Sequence, residues 1–248
     1  MTEPDIAFIT AGGQRLAYRR RNGTSPSLLF LPGYASDMAG AKATAIDAFA
    51  AEQGVGLVRF DYSGTGKSGG DFADGTLERW IDEALAVVDK VTEGPLILIG
   101  SSMGGWIALH VALARPKRVA GLVGIAAAPD FTQWGFTESQ MRQIAREGMI
   151  EEANPYGPEP SRFYRDFWQS GQSLRLLEGE IAVDCPVRLV HGDQDEEVPA
   201  EVAQRLLARL RSADVQLLTI KDGGHRLSQP REIDAILRTI GGLLELNH

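Results

Sequence analysis

"LILIGSSMGGWIALH", residues Leu96–His110, opens as an apolar run, breaks at Gly100 and resumes in a helical pattern. A short apolar run ended by glycine reads as a strand buried on both faces, and the apolar stretch after the break reads as a buried helix. The break itself, Gly100-Ser101-Ser102-Met103-Gly104, has the form G-x-S-x-G with Ser102 at its centre. So abrupt a turn holds its central residue in a strained backbone conformation. Glycines two positions to either side let strand and helix approach without clashing β-carbons. The turn pushes the central hydroxyl out at the sheet edge, beside the positive end of the helix. Ser102 is the candidate nucleophile, and Ser101 faces elsewhere. A small-residue turn explains the composition equally well, but not its place between a buried strand and an apolar helix.

Working outward, "IAFIT" and "RLAYRR" flank the turn "AGGQ" as an opening antiparallel hairpin. The runs "SLLFL", "VGLVRF", "LILIG", "VAGLVGIAA", "VRLVHG" and "VQLLTI" are short and apolar, as strands of a parallel sheet covered on both faces would be. Between them, helical patterns occupy Ala39–Gln53, Thr76–Val91, Met103–Arg115, Ala200–Arg211 and Arg231–Leu246. Thr76 is placed to cap its helix. This alternation predicts a mostly parallel, doubly wound α/β sheet with right-handed crossovers.

Residues 129–184 break the rhythm, with no convincing strand, and a connection that long in a compact domain is usually functional. It carries Phe131, Trp134, Phe136, Tyr156, Phe163, Tyr164, Phe167 and Trp168. "TESQMRQIAREG" and "SRFYRDFWQSGQSLRLL" read as helices. The expectation is a helical cap at 129–184 inserted into a core made of residues 1–128 and 185–248. Trp134, Phe167 and Trp168 are the candidates for an apolar substrate pocket beneath it.

A serine hydroxyl is a weak nucleophile until a base takes its proton. Of the four histidines, His110 lies two turns along the helix from Ser102, about 12 Å away. His248 is the last residue, and His191 ends "VRLVHG", where it helps shape the loop of an acid. His225, in "KDGGHRLSQP", sits on a Gly-rich loop after "VQLLTI" and is the candidate base. "HGDQDEEVP" offers Asp193, Asp195, Glu196 and Glu197 as the acid that fixes its tautomer. An acid near 195 gives the chain order nucleophile, acid, histidine; Asp130 is the fallback. For the developing oxyanion, the N–H of Met103 follows Ser102, and the loop "PGYASD" offers the N–H of Tyr34.

Other classes are poorly supported. "DYSGTGKSGG" is one residue from a phosphate-binding G-x-x-x-x-G-K-[ST] loop, with Asp61 where the first glycine belongs, and Gly69-Gly70 would block the helix that should come next. A net charge of −8 with no long basic run argues against nucleic acid. One cysteine, Cys185, excludes an internal disulfide framework, and no Cys/His cluster has metal spacing. No cofactor is implied. The N-terminus lacks the features of a signal peptide and no stretch is long enough to span a bilayer, so the expectation is cytoplasmic. A non-catalytic binding protein on the same scaffold remains the alternative.

Taken together, these motifs resemble the α/β-hydrolase family over most of the chain. Within it, "FLPGYASDMAGAKATAIDAFA", "VRFDYSGTGKSGG", "GSSMGGWIALHVALARP" and "CPVRLVHGDQDEEVP" are similar to a branch of animal mitochondrial enzymes that hydrolyse palmitoyl-protein thioesters and the acyl glucuronide of mycophenolic acid. The likeness runs from about Leu16 to about Leu237. It implies Ser102 as nucleophile, Asp195 as the acid, His225 as base, and Tyr34 and Met103 as oxyanion donors. The expected function is hydrolysis of esters or thioesters of small molecules or acylated proteins.

Overall fold

The computed structural model describes residues 3–155 and 157–247. Tyr156 and His248 lie outside the described residues. Strands β1 (Ile6–Ala11) and β2 (Gln14–Arg21) form the opening hairpin, followed by β3 (Thr24–Leu31), α1 (Ala41–Gln53), β4 (Val55–Phe60), α2 (Leu77–Val91), β5 (Leu96–Ser101), α3 (Met103–Ala114) and β6 (Val119–Ile125). After an inserted segment come β9 (Val187–Gly192), α7 (Ala200–Arg209), β10 (Val215–Ile220) and α8 (Pro230–Glu245). The eight sheet strands lie in the order β1-β2-β4-β3-β5-β6-β9-β10. Only the β1–β2 and β2–β4 pairs of this sheet are antiparallel. The expected mostly parallel, doubly wound sheet is what forms.

Strand alternation builds two cores. Along β5, Leu96 and Leu98 face a layer holding Trp80 of α2 and Trp106 and Ile107 of α3, whereas Ile97 and Ile99 face Ile46 of α1 and Ile236 and Ile240 of α8. Every residue of β5 is buried. Thr76 caps α2 by accepting from the Arg79 N–H. Strand β10 departs from expectation: it is an edge strand, and Gln216, Leu218 and Thr219 are exposed. A run such as "VQLLTI" reads alike in either position, because only its neighbours decide whether a second face is covered.

The segment between β6 and β9 holds the single turn α4 (Phe131–Trp134), α5 (Glu138–Glu147), an antiparallel hairpin of β7 (Met149–Glu152) and β8 (Ser161–Tyr164), and α6 (Arg165–Ser173). Two expectations are thereby corrected. Residues 161–164 are a strand, not the start of a helix, because they pair with β7 across a loop that contains Pro155, Pro158 and Pro160. Helix α6 stops at Ser173, because the Leu176 and Leu177 N–H groups are drawn to the two carboxylate oxygens of Asp130, each at 2.8 Å. Asp130, the fallback acid, is fully buried and closes the segment's two ends against each other.

The Gly-rich loop after β4 encloses its own carboxylate. Asp61 accepts from the Met38 N–H through one oxygen and the Lys67 N–H through the other, both at 2.7 Å, and its carbonyl accepts from the Ser68 hydroxyl. A β-carbon at Gly66 would lie 2.1 Å from that carboxylate. The Asp61 carboxylate thus takes the place and the Lys67 donor that a phosphate would need, and a short 3-10 turn, Phe72–Asp74, stands where a phosphate-binding helix would start.

Helix α3 presses so closely on β3 that a β-carbon at Gly104 would sit 2.1 Å from the Leu31 carbonyl oxygen. Gly104→Ala is expected to lower unfolding free energy by about 3 kcal/mol, read by urea titration. An unchanged midpoint would show that the β3 backbone yields.

Candidate active site

The site assembles at the C-terminal ends of β3, β5, β9 and β10. Ser102 follows β5 with φ 54° and ψ −120°, a conformation that costs about 1–3 kcal/mol and persists only when its surroundings enforce it. Its N–H donates to the Ile125 carbonyl at 2.9 Å, and its carbonyl accepts from Gly105 at 2.9 Å and Ala128 at 3.1 Å. A β-carbon at Gly100 would meet the Gly104 carbonyl at 2.3 Å, so only glycine lets the strand leave and the helix return on this path.

His225 arrives from the loop after β10. Its Nε2 lies 3.1 Å from Ser102 Oγ and its Nδ1 lies 3.0 Å from Asp195 Oδ2. The loop is tied to the one after β9: the Gln194 N–H donates to the Gly223 carbonyl, and the Asp222 N–H to Asp193 Oδ1. From the other side, Lys42 Nζ on α1 donates to the carbonyl of Arg226.

The Asp195 side chain is fully buried. Its Oδ1 accepts from the N–H groups of Glu197 at 3.0 Å and Val198 at 2.9 Å. Burial pushes this carboxyl upward. The hydrogen bond and charge of His225 and the two N–H donors outweigh that and hold it below the usual carboxylate value. His191, also buried, bonds the Val198 carbonyl through Nε2 at 2.9 Å and keeps the same nitrogen 3.6 Å from Asp195 Oδ2. It braces the acid's loop. His110 is bound instead to the Leu174 carbonyl at 3.0 Å.

A cavity of about 800 Å³ opens over Ser102 and His225. Tyr34, Phe131, Trp134, Phe136 and Phe163 give it an aromatic wall, and Lys42, Glu197 and Arg226 a charged one. Glu197 Oε2 lies 3.8 Å from His225 Nε2. Burial, reinforced by Arg226, lowers Lys42 to about 8.

Of the three pocket candidates, only Trp134 lines this cavity. Phe167 points from α6 into the core, with ring centroids 4.8 Å from Tyr34 and 5.5 Å from Trp80. Trp168, the next residue round the helix, donates to the Thr132 carbonyl at 3.0 Å and packs with Phe136, Ile144 and Ile150. Both support the wall from behind. Phe131, Phe136, Phe163, Lys42, Glu197 and Arg226 also line the cavity, although sequence reasoning gave none of them that role. Lys42 had left one signal: a cation in the first turn of a helix opposes the dipole there.

Tyr34 and Met103 both adjoin Ser102. Met103 opens α3, where backbone N–H groups have no partner within the helix. Tyr34 lies in the turn after β3, which packs against Ser102.

A sequence model of the alpha/beta hydrolase family matches residues 28–236. The chain belongs to the α/β-hydrolase family. It is 39% identical over 234 residues to the mouse mitochondrial palmitoyl-protein thioesterase ABHD10, covering 93% of this chain and 79% of that one. The solved structure of the mouse alpha/beta hydrolase domain-containing protein 10 superposes with a TM-score of 0.92 at 36% identity, covering 98% of this chain and all of that one. A hydrolase structure from Agrobacterium vitis gives 0.90 at 40% identity, covering 97% and 98%. The resemblance read from the motifs is thus borne out for this α/β hydrolase.

Because Asp195 is lowered in the folded chain, its ionised form stabilises the fold at neutral pH. That contribution fades as pH falls through the ordinary carboxylate value of about 4 and then through the lowered one. The deficit in unfolding free energy of Asp195→Asn should be largest above about pH 6 and shrink toward about pH 3. A deficit constant across that range would contradict the assignment.

Proposed function

We propose that this α/β hydrolase is a serine hydrolase that cleaves carboxylic ester or thioester bonds of small molecules or acylated proteins through a covalent acyl-enzyme. The observation that carries this reading is the continuous chain of hydrogen bonds from Asp195 through His225 to Ser102 on the floor of the cavity. The activity named for the mouse relative supports the substrate class.

In the proposed mechanism His225 takes the Ser102 proton through Nε2 as the oxygen attacks the acyl carbonyl. Asp195 holds Nδ1–H and stabilises the imidazolium. The N–H groups of Tyr34 and Met103 receive the oxyanion, each such donor being worth about 3 kcal/mol in the transition state. The imidazolium protonates the leaving alcohol or thiol. Water, activated by the same nitrogen, then releases the acid. Residues 129–184 act as a cap whose aromatic wall holds the acyl group against the core.

Two outcomes test this. A fluorophosphonate probe should label the protein, and Ser102→Ala should abolish labelling and lower kcat on aryl esters and acyl thioesters by about 10⁴-fold or more at unchanged Tm. Absence of labelling in the parent protein would leave a binding protein as the better account, and labelling that survives the substitution would put the reactive group at another residue. In a parallel pair, Trp134→Ala should weaken long-chain acyl substrates more than acetyl esters. Phe167→Ala should act mainly on stability, by about 3–5 kcal/mol, and the reverse pattern would misplace the acyl pocket.

A further inference from the structure

Tyr34 stands at two places at once. Its backbone lies in the tight turn after β3, where the Ser36 N–H donates to the Gly33 carbonyl at 3.2 Å and Ala35 takes φ 52°. The turn has no slack over the nucleophile: a β-carbon at Gly33 would lie 3.2 Å from the Ser101 carbonyl oxygen and 3.3 Å from the Ser102 β-carbon. The side chain reaches into the cap. Its hydroxyl donates to the Arg162 carbonyl on β8 at 2.7 Å. Its ring stacks on Phe163 of the same strand, with centroids 5.0 Å apart and planes 15° from parallel. On the core side the ring meets Phe72 at 5.0 Å and Phe167 at 4.8 Å. The receiving strand is itself braced, since Arg162 Nε donates to Glu151, its register partner on β7, at 2.8 Å.

Core packing needs only the ring. The hydroxyl serves the cap, and burial, with a smaller effect of Tyr164, pushes it well above its ordinary value of 10.0, so it stays a donor at any working pH. The ring, packed between Phe163 and Phe167, has little freedom to swing about its side-chain torsions, so displacing the phenol pulls on the α-carbon it shares with the N–H. An oxyanion donor must sit about 2.7–3.1 Å from the developing charge, and a misplacement of about 1 Å costs on the order of 100-fold in rate.

We infer that the Tyr34 side chain is a positioning residue that clamps the oxyanion turn to the β7–β8 hairpin, so that the oxyanion hole is complete only when the hairpin is seated. The inference rests on the reading of the Tyr34 N–H as an oxyanion donor. Catalysis and cap position are then one equilibrium: a substrate that seats the hairpin assembles its own oxyanion site, and one that props it open is held but turned over slowly.

Tyr34→Phe keeps the ring and removes the hydroxyl. The readouts are kcat and KM for a short aryl ester, and the inhibition constant of a short alkyl boronic acid, whose Ser102 adduct places an oxygen in the oxyanion position. The expected result is a kcat about five- to tenfold lower with KM within about twofold, and boronate affinity weaker by the same factor as kcat. Amide exchange over residues 33–36 should quicken with little change in Tm. Phe163→Ala loosens the clamp from the cap side and should weaken boronate binding likewise, with the double variant losing less than the product of the two. Parent-like kcat and boronate affinity in Tyr34→Phe, a rise in KM alone, or fully multiplicative losses would each overturn the clamp. Failure of the catalytic reading would show separately, as probe labelling that persists in Ser102→Ala.

Discussion

Everything at the site depends on holding Ser102 at a backbone conformation it would not choose. Left alone, a serine at φ 54° and ψ −120° would relax, and its hydroxyl would lose its place beside His225 Nε2. Three backbone hydrogen bonds, to Ile125, Gly105 and Ala128, prevent it. They come from β6, from α3 and from the start of the inserted segment, so the strain is shared by elements that are themselves fixed by the sheet. The glycines make this possible by subtraction: at positions 100 and 104 there is no room for a single methyl group. A strand buried along its whole length supplies the rigidity that such a turn needs.

The second dependence is electrostatic. A dry carboxylate is costly unless its oxygens are occupied, and Asp195 meets that condition with two backbone donors on one oxygen and His225 on the other. His191 holds the carbonyl of Val198, and so the loop that supplies one of those donors. Around the imidazole the charges are arranged in opposition. Glu197 approaches Nε2 from the cavity side, whereas Lys42, on a helix terminus unsuited to a cation, grips the backbone one residue beyond His225. The charged wall of the cavity is therefore also part of the frame that carries His225.

The sequence revealed what depends on local pattern and hid what depends on long-range contact. The α/β-hydrolase fold was legible because buried parallel strands announce themselves by continuous apolar runs. Ser102 and His225 could be singled out from a turn motif and an elimination among four histidines; chain order placed an acid near 195, and the family resemblance implied Asp195. Residues 161–164 were misread because a four-residue strand has too few positions to show alternation, and the partner that makes it a strand lies across a loop. Asp130 looked like a spare acid at a strand end. Its true partners, the N–H groups of Leu176 and Leu177, lie 46 and 47 positions away. Phe167 and Trp168 were taken for lining because aromatic content says nothing about which side of a helix faces a cavity.

The aromatic residues of the inserted segment explain why that segment is not a loose lid. The Phe131 ring centroid lies 5.9 Å from that of Trp106 in the core and 6.2 Å from that of Tyr34, and the ring also neighbours Phe136, Phe163 and Phe167. A rim of polar contacts could open one bond at a time, but interlocked rings move together or not at all, since displacing one leaves a void beside several others. A segment packed in this way shifts as a unit, seated or displaced, rather than residue by residue. A pocket walled by Phe131, Phe136 and Phe163 therefore has a shape fixed by the same packing that seats Tyr34 beside Ser102. The shape of the cavity and the seating of the turn beside Ser102 draw on a single set of packed rings, so a change in one wall of the pocket reaches the other.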